Sequence, residues 1–225
     1  MEITREENTK WKAIKIIVHQ KNVKPWKSTT GPFEILVRTI ISQNTNDRNT
    51  AKATELLKRN IGIDPNSILT ASKENIIECL KPAGLYNVKA PRIINLAKIL
   101  KEELKDPNKI SDMTKEDVTN LLLRIEGIGP KTIDVFLALS KNEDVLAVDT
   151  HVKRVSKRLG ITDSKDTYFQ IREKLERLVP SGERIRAHFS LISFGRKICI
   201  ARRPKCPICP AMQYCPSKKQ FYPDI

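Results

Sequence analysis

Aromatic residues are scarce in this chain, where Phe, Trp and Tyr together make up 5% of 225 residues. Single-stranded nucleic acids are commonly bound by stacking their bases on aromatic side chains, so this composition argues against such a surface. The sequence also lacks an apolar run long enough to span a bilayer. Residues 1–7 are charged from the start and do not form a signal-peptide pattern. We therefore expect a protein that stays in the cytoplasm.

Acidic residues are also fewer than basic residues. The chain has 26 Asp and Glu against 41 Lys and Arg, which gives a formal net charge of +15 and an isoelectric point near 9.7. An excess of this size indicates a polyanionic partner, usually nucleic acid, although a basic surface can also serve solubility alone. Hydrophobic residues at 40% and charged residues at 30% are typical of a folded globular protein rather than a disordered one.

No segment alternates apolar and polar residues with the period of two that predicts a β-strand. Several segments instead place their apolar residues on one helical face, among them 8–23, 33–41 and 150–159. We therefore expect an all-α fold. The helix at 33–41 carries little charge, so it should lie at the centre of a domain. The apolar run at 145–148 has no partner strand, and we interpret it as a buried connector.

The most informative stretch is 121–136, which predicts the end of one helix, a tight glycine turn and the start of a second helix. Gly127 and Gly129 allow the turn to adopt positive φ, and Pro130 fits the first position of the second helix. Backbone N–H groups beside a helix N-terminus form an anion site suited to one DNA phosphate. Such a turn is also an ordinary helix connector, so the motif alone leaves both interpretations open.

Lys131 follows the turn directly, at the start of the second helix. The positive end of a helix disfavours an ammonium group, and a nearby cation such as Arg124 would add to this effect. Both influences favour the neutral amine, which is the nucleophilic form of lysine. A lysine that only binds phosphate is the alternative that the isolated motif leaves open.

Ser72, Thr114 and Asp149 each precede a helix at the position of an N-cap. Capping is the default role of Asp149. A carboxylate that faces a glycosidic bond can also stabilise an oxocarbenium-like transition state. The two roles are compatible, so Asp149 is a candidate for both.

Four of the five cysteines, Cys199, Cys206, Cys209 and Cys215, lie within the last 27 residues with the spacing C-x6-C-x2-C-x5-C. This clustering is unlike a secreted disulfide framework and predicts a metal site. Four thiolates can bind either zinc or a [4Fe–4S] cluster. Structural zinc sites usually contain two C-x2-C pairs and this chain has one, so the spacing favours the cluster. Cys79 lies in an apolar stretch and is expected to be buried.

Taken together, these motifs resemble the helix–hairpin–helix DNA glycosylases of the endonuclease III family. The resemblance is carried by GIGPKT at 127–132, VDTH at 148–151, PFEIL at 32–36, GLYNVKA at 84–90 and GRKICIARRPKC at 195–206. It covers nearly the whole chain. It also implies that the four cysteines hold a [4Fe–4S] cluster.

The resemblance implies two helical lobes with a DNA cleft between them. A six-helix barrel with the hairpin is expected over 25–141. A discontinuous helical domain is expected from 1–24 and 142–225, carrying the iron–sulfur loop. Lys131 and Asp149 should face each other across the cleft.

In this family the damaged base is flipped out of the duplex, so the resemblance implies a role for each matching residue. Lys131 is expected to attack the sugar and displace the base, forming a Schiff base that allows strand cleavage by β-elimination. Asp149 is expected to stabilise the developing charge. Leu85 should insert into the base stack as an apolar wedge. Whether Gln43 or Asn44 fills the gap left by the flipped base stays open.

A wider set of residues is expected to contact DNA. It comprises Gln43, Asn44, Leu85, Tyr86, Lys89, Gly127, Gly129, Thr132, His151, Arg202, Arg203 and Lys205.

The sequence therefore predicts a monomeric glycosylase and AP lyase that removes oxidised pyrimidines from duplex DNA in base-excision repair, at the nucleoid of a prokaryotic cell. Two alternatives remain. One is a glycosylase of the same superfamily with another lesion preference, such as mismatched bases. The other is a helix–hairpin–helix module that binds DNA without catalysis.

Overall fold

The computed structural model describes residues 5–19 and 30–223, and the side chains from residue 8 onward within these ranges. These residues form α-helices and short 3-10 turns, and no β-strand occurs among them. The all-α fold predicted from the sequence is confirmed. The chain divides into two compact units, one made of Met1–Trp26 with Asp144–Ile225 and the other of Lys27–Glu143.

The first helix belongs to the discontinuous unit. It is α1, Arg5–Val18. The sequence predicts this helix over 8–23, and residues 20–23 lie outside the described ranges.

The continuous unit contains seven α-helices among the described residues. They are α2 Pro32–Ile41, α3 Asp47–Asn60, α4 Pro65–Thr70, α5 Lys73–Leu80, α6 Tyr86–Glu103, α7 Lys115–Leu123 and α8 Pro130–Ser140.

Helix α2 lies at the centre of this unit. Seven of its ten residues are buried, and it packs against α3, α6 and α8. The low charge of this segment predicts such a position, because a helix surrounded by other helices has no solvent face to make polar. The prediction for α2 is confirmed.

The discontinuous unit continues with four more α-helices. They are α9 Thr150–Arg158, α10 Tyr168–Leu178, α11 Arg184–Lys197 and α12 Lys218–Phe221. Helix α11 packs against both α1 and α9. The core between them includes the fully buried side chains of Ile14, Val155 and Leu191. The segment before α9, 145–148, is buried and non-helical, as the sequence predicts for a connector.

Local capping follows the sequence closely. The side chains of Ser72, Thr114 and Asp149 accept hydrogen bonds from the first-turn N–H groups of α5, α7 and α9. Each cap satisfies backbone donors that the helix itself leaves unpaired. Among the helices of the described residues, none is both long enough and apolar enough to cross a membrane.

Candidate active site and nucleic-acid interface

The glycine hairpin joins α7 to α8. Helix α7 ends at Leu123, and Ile125 and Ile128 then close two tight turns through their N–H groups. Pro130 begins α8, as predicted. The side chains of Ile125 and Ile128 are buried, which anchors the hairpin to the unit from both sides.

Glycine is required at position 127 both by the backbone conformation and by the side chain that lies next to it. Its φ is +84°, a conformation that a side chain disfavours. A β-carbon at Gly127 would also lie 2.2 Å from Nε of Arg92, far inside contact distance. The Arg92 side chain thus occupies the space next to the turn, so the hairpin can approach α6 this closely only with glycine.

Gly129 differs from the sequence expectation. Its backbone is extended, with φ −117°, so it does not use the positive φ that glycine allows. A β-carbon at Gly129 would meet no protein atom within 4 Å. No contact within the protein therefore requires glycine here, and the open space lies at the N-terminus of α8, where an anion would bind.

Lys131 is the second residue of α8 and is half-buried. Gly129, the N-cap of this helix, has no side chain that could occupy the anion site. Arg124, which the sequence suggested as a neighbouring cation, instead donates to Glu103 at 2.6 Å. This exposed ion pair reduces any influence of the Arg124 charge on its surroundings. Glu126, in the same hairpin, is exposed to solvent.

Thr132, which the sequence predicts to contact DNA, lies inside the continuous unit. Its side chain is buried, and its backbone N–H donates to the Gly129 carbonyl at 2.9 Å. Thr132 lies on the face of α8 that packs into the unit, because Ile133 and Phe136 on the same helix are also buried. The residue therefore stabilises the start of α8 and presents no group to a ligand.

Asn44 and Leu85 lie at the tips of two loops of the continuous unit. Asn44 has φ +53° and Leu85 has φ +50°, and the described residues contain one other non-glycine residue with positive φ, Asn142. Both tips are exposed, Leu85 to 52%. Left-handed backbone at a leucine costs free energy, whereas asparagine adopts this conformation readily, so only the Leu85 tip is strained. Tyr86 follows Leu85 as the first residue of α6 and is half-buried.

Gln43 precedes Asn44 but has a different environment. Its Nε2 donates to the Gly127 carbonyl at 2.9 Å, and its Oε1 accepts from Nη1 of Arg92 at 3.1 Å. Both polar atoms of the amide are thus engaged inside the unit. The structure separates these two adjacent residues: Gln43 links its loop to the hairpin, and Asn44 points outward.

Lys89, which the sequence also predicts to contact DNA, is buried in the continuous unit. The side chain is 1% exposed, and its Nζ donates to the carbonyls of Ile41 at 2.8 Å and Ala83 at 3.0 Å. Burial lowers the pKa of the Lys89 ammonium. The first turn of α6 carries Lys89 on its inner face, beside the buried Ala90, so the charge does not reach the surface.

Asp149 belongs to the discontinuous unit and caps α9. Its Oδ1 accepts the N–H groups of His151 and Val152, each at 2.8 Å. These two bonds fix the orientation of the carboxylate at the N-terminus of α9. His151 is half-buried and its Nδ1 lies 3.0 Å from Nη2 of Arg154. Arg154 also donates to the carbonyls of Gly195 and Cys199, so it joins α9 to the start of the cysteine segment.

The four clustered cysteines line one cavity. The cavity is otherwise lined largely by apolar side chains, including Val155 of α9, Phe194 of α11 and Leu159 just after α9. Short 3-10 turns at Cys206–Ile208 and Met212–Tyr214 bring the later cysteines to it. In the described ranges, no three His, Cys, Asp or Glu side chains are arranged to hold a single metal ion. The fold nevertheless brings all four clustered cysteines to the lining of one cavity.

Burial controls the chemistry of these thiols. It raises the pKa of Cys209 to about 11, and it also raises the pKa of Cys206 and Cys215. A cation bound among the sulfur atoms reverses this effect, because a coordinated thiol loses its proton. Arg158 adds positive charge at the rim, where its Nη1 donates to Sγ of Cys199 at 3.3 Å. Cys79, in contrast, is buried in the continuous unit, as predicted.

Arg158 was not identified from the sequence. Besides contacting Cys199, it donates to the carbonyls of Ile200 and Ala201 and lies 4.4 Å above the ring of Phe221. The Arg158 side chain thus links the segment that follows Cys199 to the last helix, α12. Arg158 lies four residues after Arg154, so both side chains lie on the same face of α9. This spacing is the one indication of its role that the sequence offers.

Arg202, Arg203 and Lys205 are exposed, in the longest interval between cysteines. The neighbouring Pro204 is buried, and its carbonyl accepts from the Tyr222 hydroxyl at 3.3 Å. The loop is therefore anchored at its middle while its three cations face solvent.

Comparison with known proteins identifies a family model, relatives and solved structures that this chain resembles. The family model of the HhH-GPD superfamily base excision DNA repair proteins matches residues 37–181. Endonuclease III of Thermotoga maritima is 34% identical over 193 residues, covering 86% of this chain and 84% of the relative. Endonuclease III of Sulfolobus acidocaldarius is 36% identical over 188 residues, covering 83% and 82%. A trapped endonuclease III–DNA covalent intermediate matches with a TM-score of 0.83 and 25% identity, over 96% of this chain and 98% of the other.

The fold and the glycine hairpin thus define an enzyme of base-excision DNA repair, of the helix–hairpin–helix glycosylase class. Within that class, the chain belongs to the endonuclease III family. The resemblance noted in the sequence is confirmed.

The two requirements at Gly127 can be measured separately. We expect Gly127→Ala to lower the free energy of unfolding by about 2–4 kcal/mol, from left-handed strain plus the clash with Arg92. Gly182→Ala is the matched control, because Gly182 also has positive φ (+83°) but open space around it. This control should lose only about 1 kcal/mol. Denaturant unfolding of both variants gives the comparison.

The added variant Arg92→Ala should recover part of the loss in Gly127→Ala by removing the clashing group. Equal losses in the two glycine variants would contradict the close approach of Arg92 to the hairpin.

Proposed function

We propose that this chain is a bifunctional DNA glycosylase and AP lyase that removes oxidised pyrimidines from duplex DNA. The observation that carries the proposal is the position of Lys131, an amine at the second residue of α8, directly behind the glycine hairpin. The similar fold of the trapped endonuclease III–DNA covalent intermediate supports covalent chemistry. The proposed substrate is damaged duplex DNA, bound by a monomer at the nucleoid of a prokaryotic cell.

The proposed reaction balances without a redox partner. The lone pair of the Lys131 Nζ attacks C1′ of the damaged nucleotide, and the glycosidic bond breaks with its electron pair leaving on the base, which takes up a proton. The sugar ring then opens to give a protonated Schiff base between Nζ and C1′. Loss of a C2′ proton expels the 3′ phosphate by β-elimination. Water releases Lys131 at the end.

Asp149 is proposed to stabilise the cationic sugar that develops as the base leaves. Its cap supports this role, because two backbone N–H groups hold the carboxylate in one orientation. A carboxylate that is already oriented needs no reorganisation when the positive charge appears. The neighbouring His151 is proposed as a DNA contact.

The hairpin is proposed to bind one phosphate of the damaged strand. The extended backbone at Gly129 and the open space beside it support this assignment. Backbone N–H groups there fix the strand without reading its sequence. The exposed cations Arg202, Arg203 and Lys205 are proposed to bind the DNA backbone at a second position.

Leu85 and Asn44 are proposed to enter the duplex from two loops. Leu85 is the apolar wedge, and Asn44 fills the space left by the flipped base and faces the opposite base. The bonded amide of Gln43 supports this choice, because that side chain is already committed to Gly127 and Arg92. A polar side chain exposed at a loop tip is better suited to insertion than one held at both ends.

The four clustered cysteines are proposed to hold a [4Fe–4S] cluster. The apolar cavity, the four sulfur ligands and the arginine beside Cys199 fit a thiolate-bound cluster. The cluster would supply a rigid cross-link of the basic loop rather than any chemistry of strand cleavage. Arg158 would offset the negative charge of the thiolates.

Borohydride trapping tests the catalytic assignment. Wild type should form a covalent adduct with abasic duplex DNA, because borohydride reduces the Schiff base, and Lys131→Ala should form none. Lys73→Ala is the matched control, since Lys73 is also in the first turn of a helix and is exposed. It should trap like wild type.

An adduct that survives Lys131→Ala would overturn the assignment of Lys131. The absence of any adduct with wild type would favour a DNA-binding module without catalysis. A panel of duplexes carrying oxidised pyrimidines, mismatched thymine or alkylated adenine then distinguishes the lesion preferences.

The two polar candidates in the α2–α3 loop should separate in one experiment. Asn44→Ala should reduce the dependence of excision on the opposite base by about tenfold, from loss of one or two hydrogen bonds to it, and leave stability unchanged. Gln43→Ala should lower the unfolding free energy by about 1–3 kcal/mol, because it leaves buried groups unpaired. Single-turnover excision opposite each of the four bases and denaturant unfolding are the measurements. The reverse pattern would assign the gap to Gln43.

Metal analysis tests the cluster. Purified protein should contain about four iron atoms per chain and absorb broadly near about 400 nm. Cys206→Ser should lose iron and absorbance, whereas Cys79→Ser, which changes the remaining cysteine, should keep both. Colourless protein with one zinc per chain would contradict the iron–sulfur assignment.

A further inference from the structure

Lys89 is among the largest side chains that the described residues bury almost completely. Its two hydrogen bonds reach elements that are far apart in sequence. Ile41, the first acceptor, is the last residue of α2, and Ala83, the second, ends the 3-10 turn Lys81–Ala83. Carbonyls at helix ends lack partners inside the helix, and an ammonium group is also attracted to the negative end of the helix dipole.

Each of these carbonyls lies a few residues before a side chain that is proposed to enter the duplex. We call these two side chains, Asn44 and Leu85, the wedges. Asn44 is three residues beyond Ile41, and Leu85 is two residues beyond Ala83. Both wedge residues have left-handed backbone, so both loops need a rigid base to keep that conformation. The Lys89 ammonium binds both loops at once, at the residues where they begin.

An apolar residue of similar length, such as methionine, would fill the same space without removing a charge from water. Burying an ammonium group costs free energy even when it is hydrogen-bonded. Packing alone therefore does not account for the amine. What the amine adds is a pair of directed bonds between two loops that the backbone does not connect closely.

Arg92, one turn further along α6, makes the next connection. It donates to Gln43, and Gln43 donates to the hairpin carbonyl of Gly127. Two side chains of one helix thus tie both wedge loops and the phosphate-binding hairpin to α6. Three of the segments proposed to touch DNA therefore share one support.

We propose that Lys89 is a positioning residue that fixes the Asn44 loop and the Leu85 loop relative to each other, so that both wedges enter the duplex together. This inference rests on the proposed function. It predicts that loss of the ammonium impairs opening of the base stack and leaves the chemistry at the sugar unaffected.

The test uses two substrates that differ in their need for the wedges. A lesion in duplex DNA must be flipped, whereas an abasic site in a single-stranded oligonucleotide has no base stack to open. Lys89→Met should slow single-turnover excision from the duplex about tenfold, as two buried carbonyls lose their donor. It should change cleavage of the single-stranded abasic site by less than about twofold. Lys98→Met, an exposed lysine on the same helix, is the matched control and should match wild type on both substrates.

A double-mutant cycle shows whether Lys89 acts through the wedges. Adding Lys89→Met to Leu85→Ala should cost little beyond Leu85→Ala alone, because the loop no longer carries a wedge to be positioned. If the two substitutions together slow excision from the duplex by the product of their separate effects, the proposal is wrong. It is also wrong if Lys89→Met slows cleavage of the two substrates equally. Wild type that cleaves neither substrate would instead refute the proposed function.

Lys89→Gln provides a second variant, since its amide retains a donor for one carbonyl, and its loss on the duplex should be smaller than that of Lys89→Met. Thermal unfolding of each variant is measured in parallel. If neither variant folds, Lys89 serves the stability of the unit and the positioning role is wrong.

Discussion

The side chain of Gln43 makes the contact on which the rest of the candidate site depends. One end of its amide binds the hairpin at Gly127, and the other end accepts from Arg92 on α6. The loop after α2 and the hairpin are separated by 84 residues in sequence, and this amide holds them in contact. A hydrogen bond to a backbone carbonyl is directional, so it fixes an orientation that apolar packing alone leaves less well defined.

Features encoded locally were predictable from the sequence. The caps at Ser72 and Asp149, the start of α8 at Pro130 and the positive φ at Gly127 each follow from the chemistry of one residue and its immediate neighbours. The central position of α2 followed from its low charge. Its own pattern of residues carries that information, and no distant contact is needed to infer it.

Features that depend on distant contacts were not predictable. Lys89 and Thr132 lie in motifs typical of DNA contacts, yet both are buried, because the facing elements that cover them are remote in sequence. The separation of Gln43 from Asn44 likewise depends on Arg92, 49 residues beyond Gln43. A polar side chain beside a loop can face inward or outward with the same local sequence, and only its tertiary partners decide which.

The discontinuous unit sets an order on folding during synthesis. The 117-residue continuous unit Lys27–Glu143 has all of its helices available once its own segment has left the ribosome. Helix α1 must wait much longer, because α11, against which it packs, follows only after that whole unit. The hydroxyl of Ser190 donates to the Val18 carbonyl across 172 residues. Closing such a long loop is less costly when the intervening chain is already compact, so the N-terminal helix should dock last.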